Sequence, residues 1–451
     1  MPGISQESTW TYTLMCRDHE VLRFGYDPRH SSVAWRDVLD GRFAPPGTID
    51  RSGRVTRPSL ALWISGRGIP VGRPGARGVL ADLGTPTPES AMLSMRGASL
   101  SDGYWFREDG ADVSWADVNY FERDFSPELG LALAGPSDSS EGAVRRLRSE
   151  GLLRHGSPDA ALDGNLPKRW VIGSDGTRSL VKSGKPSNLF MEPVNELAAS
   201  RVCDLVLEPG DFVRYSLVKS PTGIPTYLSA CPCFVTDGLE FVSAHDVMAS
   251  VASDNSLSLY ERYARECERH GLAGIRQGLA KMLVVDHLVS NWDRHWGNFG
   301  ILMDSETREW VGPAPLFDMG ESLWCDGIAT GREPGPYHMP YQLPFARNLD
   351  SQLERYVEDL SWLDVDALER VPDTIVDTLG TRQLADLPEG WICAVRGEVA
   401  RRCENVRRAK AVAGADGPLS IAIPRGLAGR GEVACAPTEC RQSPGDDADV
   451  R

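Results

Sequence analysis

The chain has 451 residues, 41% of them hydrophobic and 25% charged, with a formal net charge of −15. That composition belongs to a folded protein long enough for two or three domains, and its acidic balance argues against broad nucleic-acid binding, which needs clustered Lys and Arg. The opening MPGISQESTWTYTL lacks the basic flank and apolar stretch of a signal peptide, and no run approaches the roughly 20 apolar residues of a membrane span, so a cytoplasmic chain is expected.

Residues 1–135 are rich in Gly, Pro and Trp, with short extended runs at Ser59–Trp63 (SLALW) and Tyr104–Phe106. They predict an accessory domain that is mixed but mostly β. A linker over 136–160 follows, with a polar breaker at Gly135–Gly142 and a short basic helix at Ala143–Leu153. Next, Leu166–Ile172 and Arg178–Val181 form a candidate hairpin around Gly173-Ser-Asp-Gly176. A helix is expected over Pro193–Leu207, then strands at Val213–Val218 and Thr226–Phe234. After Ser253 the pattern turns helical, at Ser256–Gly271, Ile275–Ser290, Leu349–Leu360 and Pro388–Val412. A β-rich segment over 161–235 followed by a mostly helical one over 236–412 is the order of the two lobes of a kinase, an α+β fold. Residues 413–451 are Gly-, Pro- and Ala-rich and predict a disordered tail. The ten cysteines show no ligand framework, and free thiols in a reducing compartment are expected.

The strongest chemical signal is Asn291-Trp-Asp-Arg-His-Trp-Gly-Asn298, just past the apolar helix Lys281–Ser290. Phosphoryl transfer needs a carboxylate to orient and deprotonate the attacking hydroxyl, and a nearby amide oxygen to help hold magnesium. Asp293 and Asn298 have that chemistry at the five-residue separation of a kinase catalytic loop. The strand-like run Trp310–Phe317 then delivers Asp318-Met-Gly320, a second carboxylate suited to metal, with a Gly that permits a sharp turn. Lys182, at the end of the hairpin, and Glu196, on the following helix, suit a phosphate-binding lysine and the glutamate that holds it. Each element alone is weak; their order along the chain carries the reading. No Gly-rich phosphate motif precedes Lys182. The loop Ala161–Leu166 around Gly164 is the favoured phosphate cover, ahead of the Gly173–Gly176 turn, and Tyr227–Phe234 is the candidate hinge for adenine.

NWDRHWGN and PAPLFDMG resemble the catalytic and metal-binding motifs of the HipA-like serine/threonine kinases. Glu192-Pro-Val-Asn-Glu196 is similar to that family's pattern around the lysine-pairing glutamate, and Ser99–Phe121 to a segment ahead of the kinase core. The resemblance covers about residues 95–410 and is strongest over 281–323. It implies an ATP- and magnesium-dependent kinase with Asp293 as catalytic base, Asn298 and Asp318 as magnesium ligands, and Lys182 on the phosphates. The acceptor implied is a protein Ser/Thr hydroxyl, the chain's own included. Asp-Arg-His-x-x-Asn also looks like phosphatidylinositol kinases, so a lipid or small alcohol stays open as acceptor. A nucleotide-binding pseudokinase is the non-enzymatic alternative.

Overall fold

The computed structural model describes residues 9–73, 76–85, 87–134, 156–221, 223–336, 343–381 and 387–413. The basic helix expected at Ala143–Leu153 and the tail expected beyond Ala413 lie outside them.

The first sheet comes from β1 (Trp10–Cys16), β2 (His19–Asp27), β3 (Ser32–Val38) and, after three helices, β4 (Tyr104–Glu108), in the antiparallel order β3-β2-β1-β4. The intervening helices are α1 (Arg57–Arg67), α2 (Ala76–Leu83) and α3 (Pro88–Ser94); α4 (Trp115–Val118) and α5 (Glu128–Ala134) follow. This region is therefore mixed, with a larger helical share than the expected mostly β unit. The run SLALW is the clearest departure, since it lies in α1. Thr56 and Ser59 cap each other reciprocally at 3.2 and 2.9 Å, Pro58 stands in the first turn, and Leu60 and Ile64 bury one face at i, i+4 spacing. The cap outside the five-residue run decides its conformation.

The second sheet holds the predicted hairpin. β5 (Lys168–Ile172) pairs β6 (Arg178–Lys182) from Ile172↔Arg178 at the turn to Lys168↔Lys182 at the far end. α6 (Glu192–Val206) follows, then β7 (Ser216–Lys219) and β8 (Tyr227–Pro232), giving the order β5-β6-β8-β7.

The remaining chain is β9 (Leu239–Ser243), α7 (Ala244–Ala249), α8 (Leu259–Arg269), α9 (Ile275–Val289), β10 (Gly300–Asp304), β11 (Trp310–Pro313), α10 (Cys325–Ile328), α11 (Leu349–Tyr356), α12 (Val371–Leu379) and α13 (Trp391–Ala413). It is mostly helical, but a three-stranded sheet, β11-β10-β9, interrupts it. The largest apolar core joins α6, α8, α9, α12 and α13 through residues such as Val202, Tyr263, Leu283, Ile375 and Val399. That core makes α9 the rigid base from which the next loop departs. Among the described residues no helix is long and apolar enough to cross a membrane.

Candidate active site

α9 ends because Ser290 turns into the left-handed region (φ 55°) and the Asn291 N–H closes on the Asp286 carbonyl at 2.9 Å. The loop Asn291–Asn298 is then fixed from behind. Arg294 and Asp286 are fully buried and bonded twice, Nε to Oδ2 and Nη2 to Oδ1, both at 2.9 Å. Arg294 Nη1 also donates to the carbonyls of Asn298 (2.6 Å) and Phe317 (2.8 Å), and Asn291 Nδ2 to Asp286 Oδ1 (2.8 Å). One guanidinium thus ties the end of the Asp293 loop to the residue before Asp318. Asn298 donates through Nδ2 to the Asp293 carbonyl at 3.3 Å, which turns its amide oxygen to other use.

Lys182, Glu196 and Asp318 converge. Lys182 Nζ lies 3.1 Å from Glu196 Oε1 and 2.7 Å from Asp318 Oδ1. Glu196 Oε2 accepts the Met319 N–H at 3.0 Å, so this one carboxylate positions both the lysine and the Asp318 segment. Burial opposes the charge on Lys182, but Asp318 and Glu196 outweigh it and hold the ammonium firmly protonated. Burial likewise opposes the charge on Asp318, yet Lys182 and Lys168 keep its carboxyl far below the usual range. Glu196 is pushed up by burial against the pull of Lys182. Asp318 is also the residue whose backbone turns, at φ 56°. Gly320 is not in the left-handed region; a Cβ there would lie 3.2 Å from the Glu192 carbonyl oxygen and 3.3 Å from Glu196 Cγ. The expectation that this glycine makes the turn is corrected: its role is close approach to α6.

Asp293 is half-buried. Burial first, then Asp318 and Glu321, push its carboxyl up to about 7 against Lys185 and Arg294. Glu321 itself pairs with Lys185, and Asn188 Nδ2 donates to Glu192 at 2.6 Å. Glu192, Glu321 and Cys325 bring ligand atoms within 4.8 Å of one another, a group beside the predicted set that the sequence reading did not single out.

The loop around Gly164 (φ 89°) lies at the Lys168–Lys182 end of the hairpin. The Gly173–Gly176 turn lies at the other end, four residue pairs or about 13 Å away. Lys168 is a residue the sequence reading missed. It is the direct cross-strand partner of Lys182, so both side chains leave the same face. Its Nζ falls 2.3 Å from where a Gly164 Cβ would be, and burial leads the causes that pull it down to about 8. The signal was present: once Ile172 pairs with Arg178, antiparallel counting puts residue 168 opposite 182. Tyr227–Phe234 supplies β8, hydrogen-bonded to β6.

No family model matches the sequence, and no curated protein matches it. Solved structures do. HipA from the Shewanella oneidensis MR-1 toxin–antitoxin system, solved with HipB and operator DNA, superposes with a TM-score of 0.51 at 15% identity, covering 89% of this chain and 99% of that chain. The Helicobacter pylori proinflammatory kinase CtkA matches with a TM-score of 0.41 at 16% identity, over 55% of this chain and 94% of that one. The first likeness establishes the fold: the chain has the HipA-like kinase fold. It also extends beyond residues 95–410, where the sequence resemblance stopped.

Proposed function

We propose that this chain is a HipA-like, two-lobed kinase that transfers the γ-phosphate of ATP, with magnesium, to a protein Ser or Thr hydroxyl, its own included. Residues 161–235 and 236–412 are the two lobes, with 1–135 as an accessory unit. The observation that carries the reading is Lys182 shared between Glu196 and Asp318, next to a loop that presents Asp293 and Asn298 from a buried Arg294 anchor.

The donor set fits the implied groups. Asp318 and the Asn298 amide oxygen are hard oxygen ligands of the kind magnesium prefers, and Lys182 and Lys168 on one face of the hairpin suit phosphate oxygens. When bound, the metal neutralises charge on the transferring phosphoryl group. The chain's own residues supply the rest. Lys182, permanently charged, holds phosphate; Glu196 keeps it in place; the Gly164 loop covers the polyphosphate. Asp293 accepts the acceptor hydroxyl's proton, and a carboxyl pushed up to about 7 is well matched to that task near neutral pH.

The test separates the two aspartates. Asp293→Asn keeps ATP–magnesium binding and loses transfer by at least ~100-fold, the scale of a general base. Asp318→Asn weakens magnesium-dependent binding as well, because a charged ligand becomes neutral. Nucleotide titrations with and without magnesium, plus single-turnover phosphorylation, measure both. If both variants transfer phosphate within about threefold of wild type, far under the general-base scale, the kinase reading fails.

A further inference from the structure

Arg73 belongs to the N-terminal region, between α1 and α2, yet its side chain works on the loop around Gly164. It is 2% exposed. Its Nε and Nη2 donate to the Gly164 carbonyl at 3.1 and 2.8 Å, and Nη2 also donates to the Leu162 carbonyl. A second contact brings the same segments together: a Cβ on Gly72 would lie 2.8 Å from Asn165 Oδ1, so the Asn165 side chain packs directly over this glycine. The third guanidinium nitrogen, Nη1, is buried with no hydrogen-bond partner among the described residues, and no carboxylate there lies within salt-bridge distance of Arg73. Asp159 and Asp163 act on it only from farther away.

Two physical consequences follow. In a trans peptide the C=O and the next N–H point in opposite directions. With the Leu162 and Gly164 carbonyls turned to Arg73, the N–H groups of Asp163 and Asn165 turn away from it. Neither has an acceptor among the described residues, whereas the Gly164 N–H is taken by Asp163 Oδ1 at 2.6 Å. Asp163 and Asn165 are both exposed, so two alternate N–H groups on the side away from Arg73 are free to meet an anion, as in backbone anion-binding concavities. Secondly, a buried guanidinium without a bonded carboxylate is costly if the loop merely needs holding. Its charge lies near that of Lys168, whose Nζ sits against Gly164, so two cations flank the loop, with Asp159 and Asp163 as the nearby carboxylates.

We propose that Arg73 is a positioning residue for the nucleotide phosphates: it aims the Asp163 and Asn165 N–H groups, so the phosphate site is complete only with the N-terminal region in place. This rests on the nucleotide reading given above. The test titrates ATP and adenosine, with magnesium, into the full chain as wild type, Arg73→Met and Arg73→Lys. Arg73→Met binds ATP ~10-fold more weakly while adenosine binding stays within about twofold, since a charge-assisted contact is lost only for the phosphates. A purely structural arginine weakens both ligands equally, and that result, or unchanged ATP affinity, overturns the proposal. Should Arg73→Met not fold, Arg73→Lys decides by the same ratio, because a point charge does not reproduce the two-carbonyl fork. A wild type that shows no preference for ATP over adenosine overturns the nucleotide reading itself, and this inference with it.

Discussion

Two clusters of charge meet within a few residues of each other and are built on different terms. Behind the loop, Asp286 and Arg294 are sealed from water, and every oxygen of the carboxylate is bonded by Arg294 or Asn291. In front, Lys182 serves two carboxylates at once, and the Asp318 side chain keeps 29% of its surface exposed. The first network is closed, with nothing left to bind. The second has more negative than positive charge in contact, and part of the Asp318 carboxylate still faces solvent. Satisfied polar networks fix geometry; unsatisfied ones at a cleft hold ligands. The pair of clusters separates scaffold from chemistry more clearly than burial does, because Lys182, Glu196 and Arg294 are all buried.

The hardest way to break that division is to remove the scaffold cation. Arg294→Met leaves Asp286 buried and unpaired and frees the carbonyls of Asn298 and Phe317. A loss of about 3–5 kcal/mol in unfolding free energy is expected, the cost of breaking a buried pair from one side. Denaturant unfolding measures it. A change under about 1 kcal/mol, the scale of an exposed pair, would mean that the network is not structural.

Removing the cation of the open cluster has a smaller effect and a different readout. Lys182→Met lowers ATP affinity by ~10-fold, the worth of a charge-assisted contact. Its effect on stability stays near 1 kcal/mol, because Asp318 reaches water and Glu196, already pushed up by burial, takes up a proton. If this variant unfolds as readily as Arg294→Met, Lys182 belongs to the scaffold and the comparison collapses.

What the sequence made legible follows the same division. The hairpin, α6 and the turn after α9 are local patterns, and each forms close to where periodicity and turn residues predict it. Lys182, Glu196 and Asp318 could be proposed because their order along the chain is informative, and the structure brings the three together. Lys168 was one counting step beyond the predicted hairpin. Arg73 was out of reach, since its carbonyl partners stand some 90 positions away and a lone surface-type arginine gives no local signal. β9 and β10 were missed for a related reason: they pair across about 60 residues, so that pairing leaves no mark local to either run. Gly320 shows the limit of motif reasoning. The glycine sits in close approach to α6 and not in a left-handed turn.

The smallest effect tests whether the open cluster stores cost as well as chemistry. In the nucleotide- and metal-free protein, Asp293 is raised from an ordinary 3.8 to about 7, burial first and the Asp318 and Glu321 charges next. The folded state therefore holds this proton more tightly than the unfolded chain. Between about pH 4 and pH 7 the unfolded state has given up the proton and the folded state has not, so the group's contribution to stability is present at low pH and lost as pH rises through about 7. Asp293→Asn cannot lose a proton there. It should match wild type near pH 4 and become the more stable protein by pH 8. The full shift would correspond to ~4 kcal/mol, but the side chain is only half-buried, and solvent screening reduces the expected gain to on the order of 1 kcal/mol. Unfolding free energies of the two proteins at pH 5 and pH 8 give the answer directly. A variant that is less stable than wild type at pH 8 would show that Asp293 is held by favourable contacts in the resting protein, and that the front of the site is as closed as the back.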